Sequence, residues 1–177
     1  MTSLVPIRTK AETALMAQFE ALRPELPDDA AALAAREAAM ARFAASGLPH
    51  RRIEAYHYTD LRSLVREAAP RAAEPADKAG RSVEAGRFMG DLNAHEIILV
   101  NGRLMRGRGR GSRLPAGVRL ATAASTEPAI LDPADAVVAL NTALTRETVT
   151  LTIDDGIAVE RPLHIVFLQD AAAPQAV

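Results

Sequence analysis

An α+β fold with helices first and strands afterwards is what this sequence predicts, and three observations carry the prediction. Apolar residues recur at helical spacing through the first third of the chain. They alternate at period two from about His95 onward, and a stretch with nothing bulky separates the two regimes. A doubly wound sheet would interleave the two element types instead. At 177 residues the chain suits one ordinary domain, or a small domain with part of a second.

The first helix is announced by Thr9 and Glu12, a capping box in which each side chain satisfies a backbone N–H that the first turn leaves unpaired. Leu15, Phe19 and Leu22 follow at helical spacing until Pro24. A second helix is expected from Asp28 or Asp29 to about Ser46, with Leu33, Met40, Phe43 and Ala44 inward, stopped by Gly47 and Pro49. Its alanines allow close approach, so the first two helices are expected to pair antiparallel across the connection Pro24 to Pro27. The next segment, GLPHRRIEAYHYTDLRSLVREAAP, reads as two short helical pieces, the second capped by Thr59 or Asp60, with Ile53, Tyr56, Leu61, Leu64 and Val65 as its apolar set.

From Pro70 to about Ser82 the composition turns to Ala, Pro, Glu, Lys and Gly, which marks a linker. Beyond it HEIILVNGRLM reads as strand, Asn-Gly turn and strand, because Asn and Gly supply the positive φ angles of a tight turn. LPAGVRLATA gives a shorter strand, and DPADAVVALNTALTRE a helix opened by Asp132 and Pro133. Val149, Leu151 and Ile153 then alternate with threonines, Asp155-Gly156 turns the chain, and Ile157 to Val159 and Leu163 to Leu168 supply two more strands.

Composition removes several function classes. The formal charge of −1 offers no global field for nucleic acid or an anionic membrane. No cysteine is present, so neither a disulfide framework nor a thiolate-held cluster is available to this chain. MTSLVPIRTKAE lacks the apolar core of a secretory signal and no stretch reaches membrane-span length, which gives the expectation of a soluble, cytoplasmic protein.

Three blocks in order carry a family resemblance. GLPHRRIEAYHYTDLRSL, Gly47 to Leu64, resembles the amino-terminal signature of the SufD family, in which Gly-Leu-Pro, basic residues, Glu, an aromatic and Tyr-Thr-x-Leu follow one another. ILVNGRL, Ile98 to Leu104, and ALNTALTRETVTLTIDDGIAVERPLHIVF, Ala139 to Phe167, are similar to later family blocks. Tyr56 stands where the family often has Trp, and His57 where Lys or Arg is common. The resemblance implies a helical domain over 1–70, a linker over 71–82, and the first coils of a right-handed parallel β-helix over 83–177, with a short helix inserted near 133–146. Glu147 to Gln169 would be early coils, and Asp155-Gly156 either a hairpin turn or a corner between solenoid sheets.

The function so implied is that of a non-catalytic scaffold subunit of the Suf machinery, which assembles iron-sulfur clusters. Partners would be a SufB-like subunit and a SufC-like ATPase, docking beyond Val177, and the cluster would belong to the full complex, with no cofactor bound by this chain. Family members are more than twice as long, so the chain reads as an amino-terminal part whose open solenoid end would favour self-association.

No catalytic, cofactor or metal residue is assigned. Glu54 and His57 form a Glu-x-x-His pair, but di-metal bundles need a second copy and two further carboxylates. His50, His57, His95 and His164 lack metal spacing, and His164 is expected on an outer or inter-coil surface opposite Leu163 and Ile165. The loop bearing Arg103, Arg106, Arg108, Arg110 and Arg113 supports the alternative of nucleic-acid binding, against which stands the lack of an aromatic there for bases to stack on. Asp154 and Asp155, adjacent in a turn, are the only carboxylates suggesting a solenoid glycosidase, and their side chains should point apart.

Overall fold

In the computed structural model the described residues are 7–26, 29–75, 92–107, 113–124 and 130–169. They form helices α1 (Lys10–Leu22), α2 (Ala30–Ser46), α3 (Leu61–Leu64) and α4 (Ala136–Leu144), with strands β1 (His95–Val100), β2 (Arg103–Leu104), β3 (Val118–Ala124), β4 (Glu147–Ile153) and β5 (Leu163–Leu168). The mixture is α+β with the helices leading, apart from α4. Most of the expected linker, the loop positions Arg108 and Arg110, Asp28 and the segment after Gln169 lie outside the described residues. No helix among the described residues is long and apolar enough to cross a membrane.

Two compact units divide the chain: Met1–Ala69 with Ala124–Thr148, and Pro70–Ala123 with Val149–Val177. The helical unit starts as the sequence dictates. Thr9 Oγ1 accepts from the Glu12 N–H, Glu12 answers on the Thr9 N–H, and Ala11, Leu15, Phe19 and Leu22 are buried along one stripe. Asp29 caps α2 by accepting from the N–H groups of Ala31 and Ala32. Although α1 and α2 do touch, the main partner of α2 is α4, the helix expected as an insertion among the strands. Alanines explain the choice: Ala136, Ala139 and Ala143 are buried with Ala39, Met40 and Phe43 in one core, so backbones of α2 and α4 approach closely. α4 begins later than expected, because Asp135 and not Asp132 accepts from the Val137 and Val138 N–H groups. Asp132 instead closes the preceding turn on the Ala134 N–H.

In the strand unit β1 lies between β2 and β5, and β3 pairs with β4 in a second sheet. Asn101-Gly102 makes the expected hairpin, with φ of 50° and 76°, and sets Leu99 against Leu104 and Val100 against Arg103. β1 runs parallel to β5 in unbroken register from His95↔Leu163 to Val100↔Leu168. β1 is buried at all six positions, as a parallel strand covered on both faces is. Because β4 and β5 belong to different sheets, Asp155-Gly156 between them is a corner and not a hairpin, with Gly156 at φ 75°. Ile157 to Val159 form no strand; the Ile157 N–H is used up closing the corner on the Asp154 carbonyl. In β5 Leu163, His164, Val166 and Leu168 are half-buried while Ile165 and Phe167 are exposed, so the face bearing His164 is the more covered one.

Candidate functional site

Two polar anchors, at Glu12 and Tyr56, hold the segment Gly47–Leu64 within the helical unit, and a third, at Arg36, ties α2 to the end of α4. The first is Glu12, only 2% exposed. Its carboxylate accepts from the Thr9 N–H at 2.6 Å and the Leu48 N–H at 2.9 Å, with Arg62 Nε at 3.6 Å. Burial alone would raise its pKa, but the Thr9 and Leu48 N–H groups and the Arg62 charge outweigh it, and the net direction is downward. Arg62 also donates to the Ile7 carbonyl, and its own N–H donates to the Pro49 carbonyl at 3.0 Å.

The Gly-Leu-Pro of the signature is explained by this carboxylate. Gly47 ends α2 at φ +69°, and a Cβ there would sit 2.6 Å from Glu12 Oε1. Gly47→Ala should therefore lower the stability of the helical unit by about 1–2 kcal/mol, through backbone strain and displacement of Glu12, as read by urea denaturation. Retained wild-type stability would show that Glu12 is not fixed by this turn. The cleft beside it, lined by Ile7, Arg8, Met16 and Arg62 among others, has room for about 20 Å³, one water molecule and not a metabolite.

Tyr56 is the second anchor. Its hydroxyl donates to Asp135, with Oδ2 at 2.8 Å and Oδ1 at 3.0 Å, while Asp135 caps α4. Burial, together with the hydrogen bond and charge of Asp135, pushes the Tyr56 pKa up to about 12. Asp135, which burial alone would raise, is held below its ordinary value by the Val138, Tyr56 and Val137 donors. An ultraviolet absorbance titration should show one tyrosine ionising only near pH 12, and Tyr56→Phe should delete that step. The same variant should lose about 1 kcal/mol. Absence of a step near pH 12 that Tyr56→Phe removes would refute the contact.

Arg36 is the third anchor, and sequence reasoning missed it. It is 1% exposed, and its guanidinium donates to the carbonyls of Ala143, Thr145 and Arg146 at the end of α4. The Ala143 and Thr145 carbonyls are at the helix end, where backbone oxygens lack intrahelical partners and carry the negative end of the dipole, and Arg146 follows directly. A signal was present: Arg36 lies three residues after Leu33 and four before Met40, squarely on the stripe expected to face inward.

What these anchors leave outward is the other half of the segment. Tyr58 is 97% exposed and Leu64 68%, and Ile53 is exposed too, so two members of the segment's apolar set face solvent. The cause is local: Glu54–Tyr56 winds as a 3₁₀ turn and α3 spans one helical turn, so neither buries a full apolar stripe. The His57 ring meets Tyr58 edge-on at 4.8 Å, and Glu54 and His57 both face solvent. No group of three or more His, Asp or Glu side chains among the described residues is placed to hold a metal ion.

The remaining candidates are dispersed. His50 Nδ1 accepts from the Arg52 N–H, His95 is buried in β1, and His164 is half-buried in β5. Arg103 pairs with Glu74 at 2.9 Å and Arg106 donates to Thr122 Oγ1 at 3.0 Å, so these two arginines of the basic loop are already engaged. Arg113 is exposed. Asp154 is gripped by both terminal nitrogens of Arg119, at 2.6 and 2.8 Å, which makes it half of an ion pair and not of a carboxylate dyad.

Compared with curated proteins, the chain matches none. A family model described as the SufBD protein N-terminal region matches residues 9–165, which takes in the Glu12 and Arg36 anchors, the whole of Gly47–Leu64, α4 and the first half of β5. With most of its length matched by that one model, the chain belongs to the SufBD N-terminal region family.

Proposed function

We propose that this chain is the amino-terminal part of a SufD-type scaffold subunit in an iron-sulfur cluster assembly complex, acting through protein contacts and not by catalysis of its own. The observation that carries the reading is the family match over residues 9–165. The SufD assignment within the family rests on the three ordered blocks at Gly47–Leu64, Ile98–Leu104 and Ala139–Phe167.

The strands begin a right-handed parallel β-helix in this reading. Its support is the parallel pairing of β1 with β5 across more than sixty residues of sequence and the Asp155-Gly156 corner that moves the chain from one sheet to another. Stacked solenoid coils make pairings of that kind, and each coil needs a neighbour to cover it. The subunit works in the cytoplasm beside a SufB-like subunit and a SufC-like ATPase. The cluster forms in the assembled complex, since a chain without cysteine has no thiolate to hold iron.

Co-expression of the full-length chain with a SufB-like subunit and a SufC-like ATPase tests the proposal. A complex that survives gel filtration, with ATP hydrolysis in the ATPase subunit and no iron or turnover in this chain alone, is the expected outcome. A chain that remains separate from both subunits, or hydrolyses ATP or a glycan by itself, would overturn it.

A further inference from the structure

We infer that the solvent-facing half of Arg51–Arg66 is a docking surface for a protein partner whose contact patch rings an apolar pocket with carboxylates. The inference rests on the scaffold reading only in taking the partner to be a protein.

The segment is stiff where it is anchored and apolar where it is exposed. Glu12 fixes Leu48 and Arg62, and Asp135 fixes Tyr56. Asp60 accepts from the Ser63 N–H to start α3. Between and just after these points Ile53, Tyr58 and Leu64 are exposed, with Tyr58 braced by the His57 ring. An aromatic exposed on a pre-organised segment has little rotamer entropy left to lose on burial, which is the property of an interface anchor.

Charge selects the partner. The segment holds Arg51, Arg52, Arg62 and Arg66 against Glu54 and Asp60, four cations to two anions, a net of +2. Arg62 is turned inward to Glu12, and Arg51 faces Asp60. Arg52 and Arg66 are exposed and make no ion pair with another described residue, nor does exposed Glu54, so two cations against one anion face a partner and favour carboxylates there. Nucleic acid fits less well. Two available cations neutralise too few phosphates for useful affinity, and Ile53 and Leu64 gain only from apolar burial. Tyrosine and arginine around aliphatic residues are the composition of protein contact sites.

The test places a photo-reactive benzoylphenylalanine at Tyr58 of the full chain in its native host, identifies the crosslinked peptide by mass spectrometry, and then measures binding between the purified partner and the full chain. The expected result is one crosslinked protein whose peptide carries Asp or Glu beside apolar residues. Its affinity should fall at least about tenfold with Tyr58→Ala and again with Arg52→Glu. Reversing a crosslinked carboxylate to Lys should recover the Arg52→Glu loss. Tyr58 is so exposed that its replacement leaves the fold intact, which circular dichroism checks. The inference is overturned by a crosslink to nucleic acid or only to a second copy of this chain, by no crosslink, by a peptide without acidic residues, or by unchanged affinity in both variants. A complex with the SufB-like and SufC-like subunits that forms equally well with Tyr58→Ala leaves the scaffold reading standing, and absence of that complex in wild type removes the scaffold reading whatever Tyr58 contacts.

Discussion

Arg36→Ala is expected to cost the helical unit on the order of 3 kcal/mol, the largest loss of any single substitution considered. The side chain is buried and meets no carboxylate among the described residues; its partners there are the three carbonyls of Ala143, Thr145 and Arg146. Truncation leaves those oxygens without their donor, at about 1–3 kcal/mol for each that stays unsatisfied; the Ala143 carbonyl is buried, and those of Thr145 and Arg146 are partly so. It also opens a cavity between α2 and α4, though partial collapse of the alanine-lined interface moderates both effects. Arg36→Met fills the space without donors and should recover only the packing share. Arg36→Lys keeps a charge but reaches one or two carbonyls in place of three, and should fall between.

The measurement is urea denaturation followed by tyrosine fluorescence. The chain has two tyrosines and no tryptophan, and Tyr56 and Tyr58 both belong to the helical unit, so the signal reports that unit alone. This matters because a chain of two units need not unfold in one step. If Arg36→Met were as stable as wild type, the guanidinium would be dispensable and the α2–α4 contact would be apolar packing only.

Legibility in the sequence divided along a physical line. Features set by residues a few positions apart were readable: the Thr9–Glu12 capping box, the Asp29 cap, the Asn101-Gly102 hairpin and the strands β4 and β5. Features set by contacts distant in sequence were not. Arg36 sits on the inward stripe of α2, but its partners lie more than one hundred residues on, and an arginine on such a stripe reads as a break in the pattern until α4 supplies its carbonyls. The pairing of α2 with α4 escaped for the same reason, since proximity in sequence favours α1. Glu12 was assigned one local task, the cap, and proved to have a second at Leu48. In the candidate site the residues of Gly47–Leu64 were all named beforehand, but their division into anchored and outward sets depends on backbone turns that a one-turn helix and a 3₁₀ turn decide. The apolar set of this segment accordingly splits, with Ile53 and Leu64 outward.

Glu12→Gln is expected to lower stability by about 2–3 kcal/mol at neutral pH and by progressively less in acid. The carboxylate serves two backbone N–H donors and the Arg62 charge while almost fully buried. Hydrogen bonds to a charged group contribute about 1.5–3 kcal/mol, and an amide presents one oxygen where two are used, turning an NH₂ toward an existing donor. The pH dependence follows from the direction of the shift. Net lowering of the Glu12 pKa means that the unfolded chain takes up the proton first as acid is added. The stabilisation is therefore whole above the ordinary glutamate range and is lost as pH falls through the folded-state value. Lys10 holds the Glu67 pKa down, and the Asp60 and Asp135 values are lowered too, so wild type loses further stability in the same window. The difference between wild type and Glu12→Gln removes those common contributions, because the variant retains all three groups. Stability of the helical unit should thus be measured for both proteins from neutral pH into acid, and the two curves should converge where Glu12 protonates. Curves that stay parallel would mean that Glu12 stabilises by its shape and not by its charge, and would leave the Leu48 N–H, and with it the start of the outward-facing segment, to be held by packing alone.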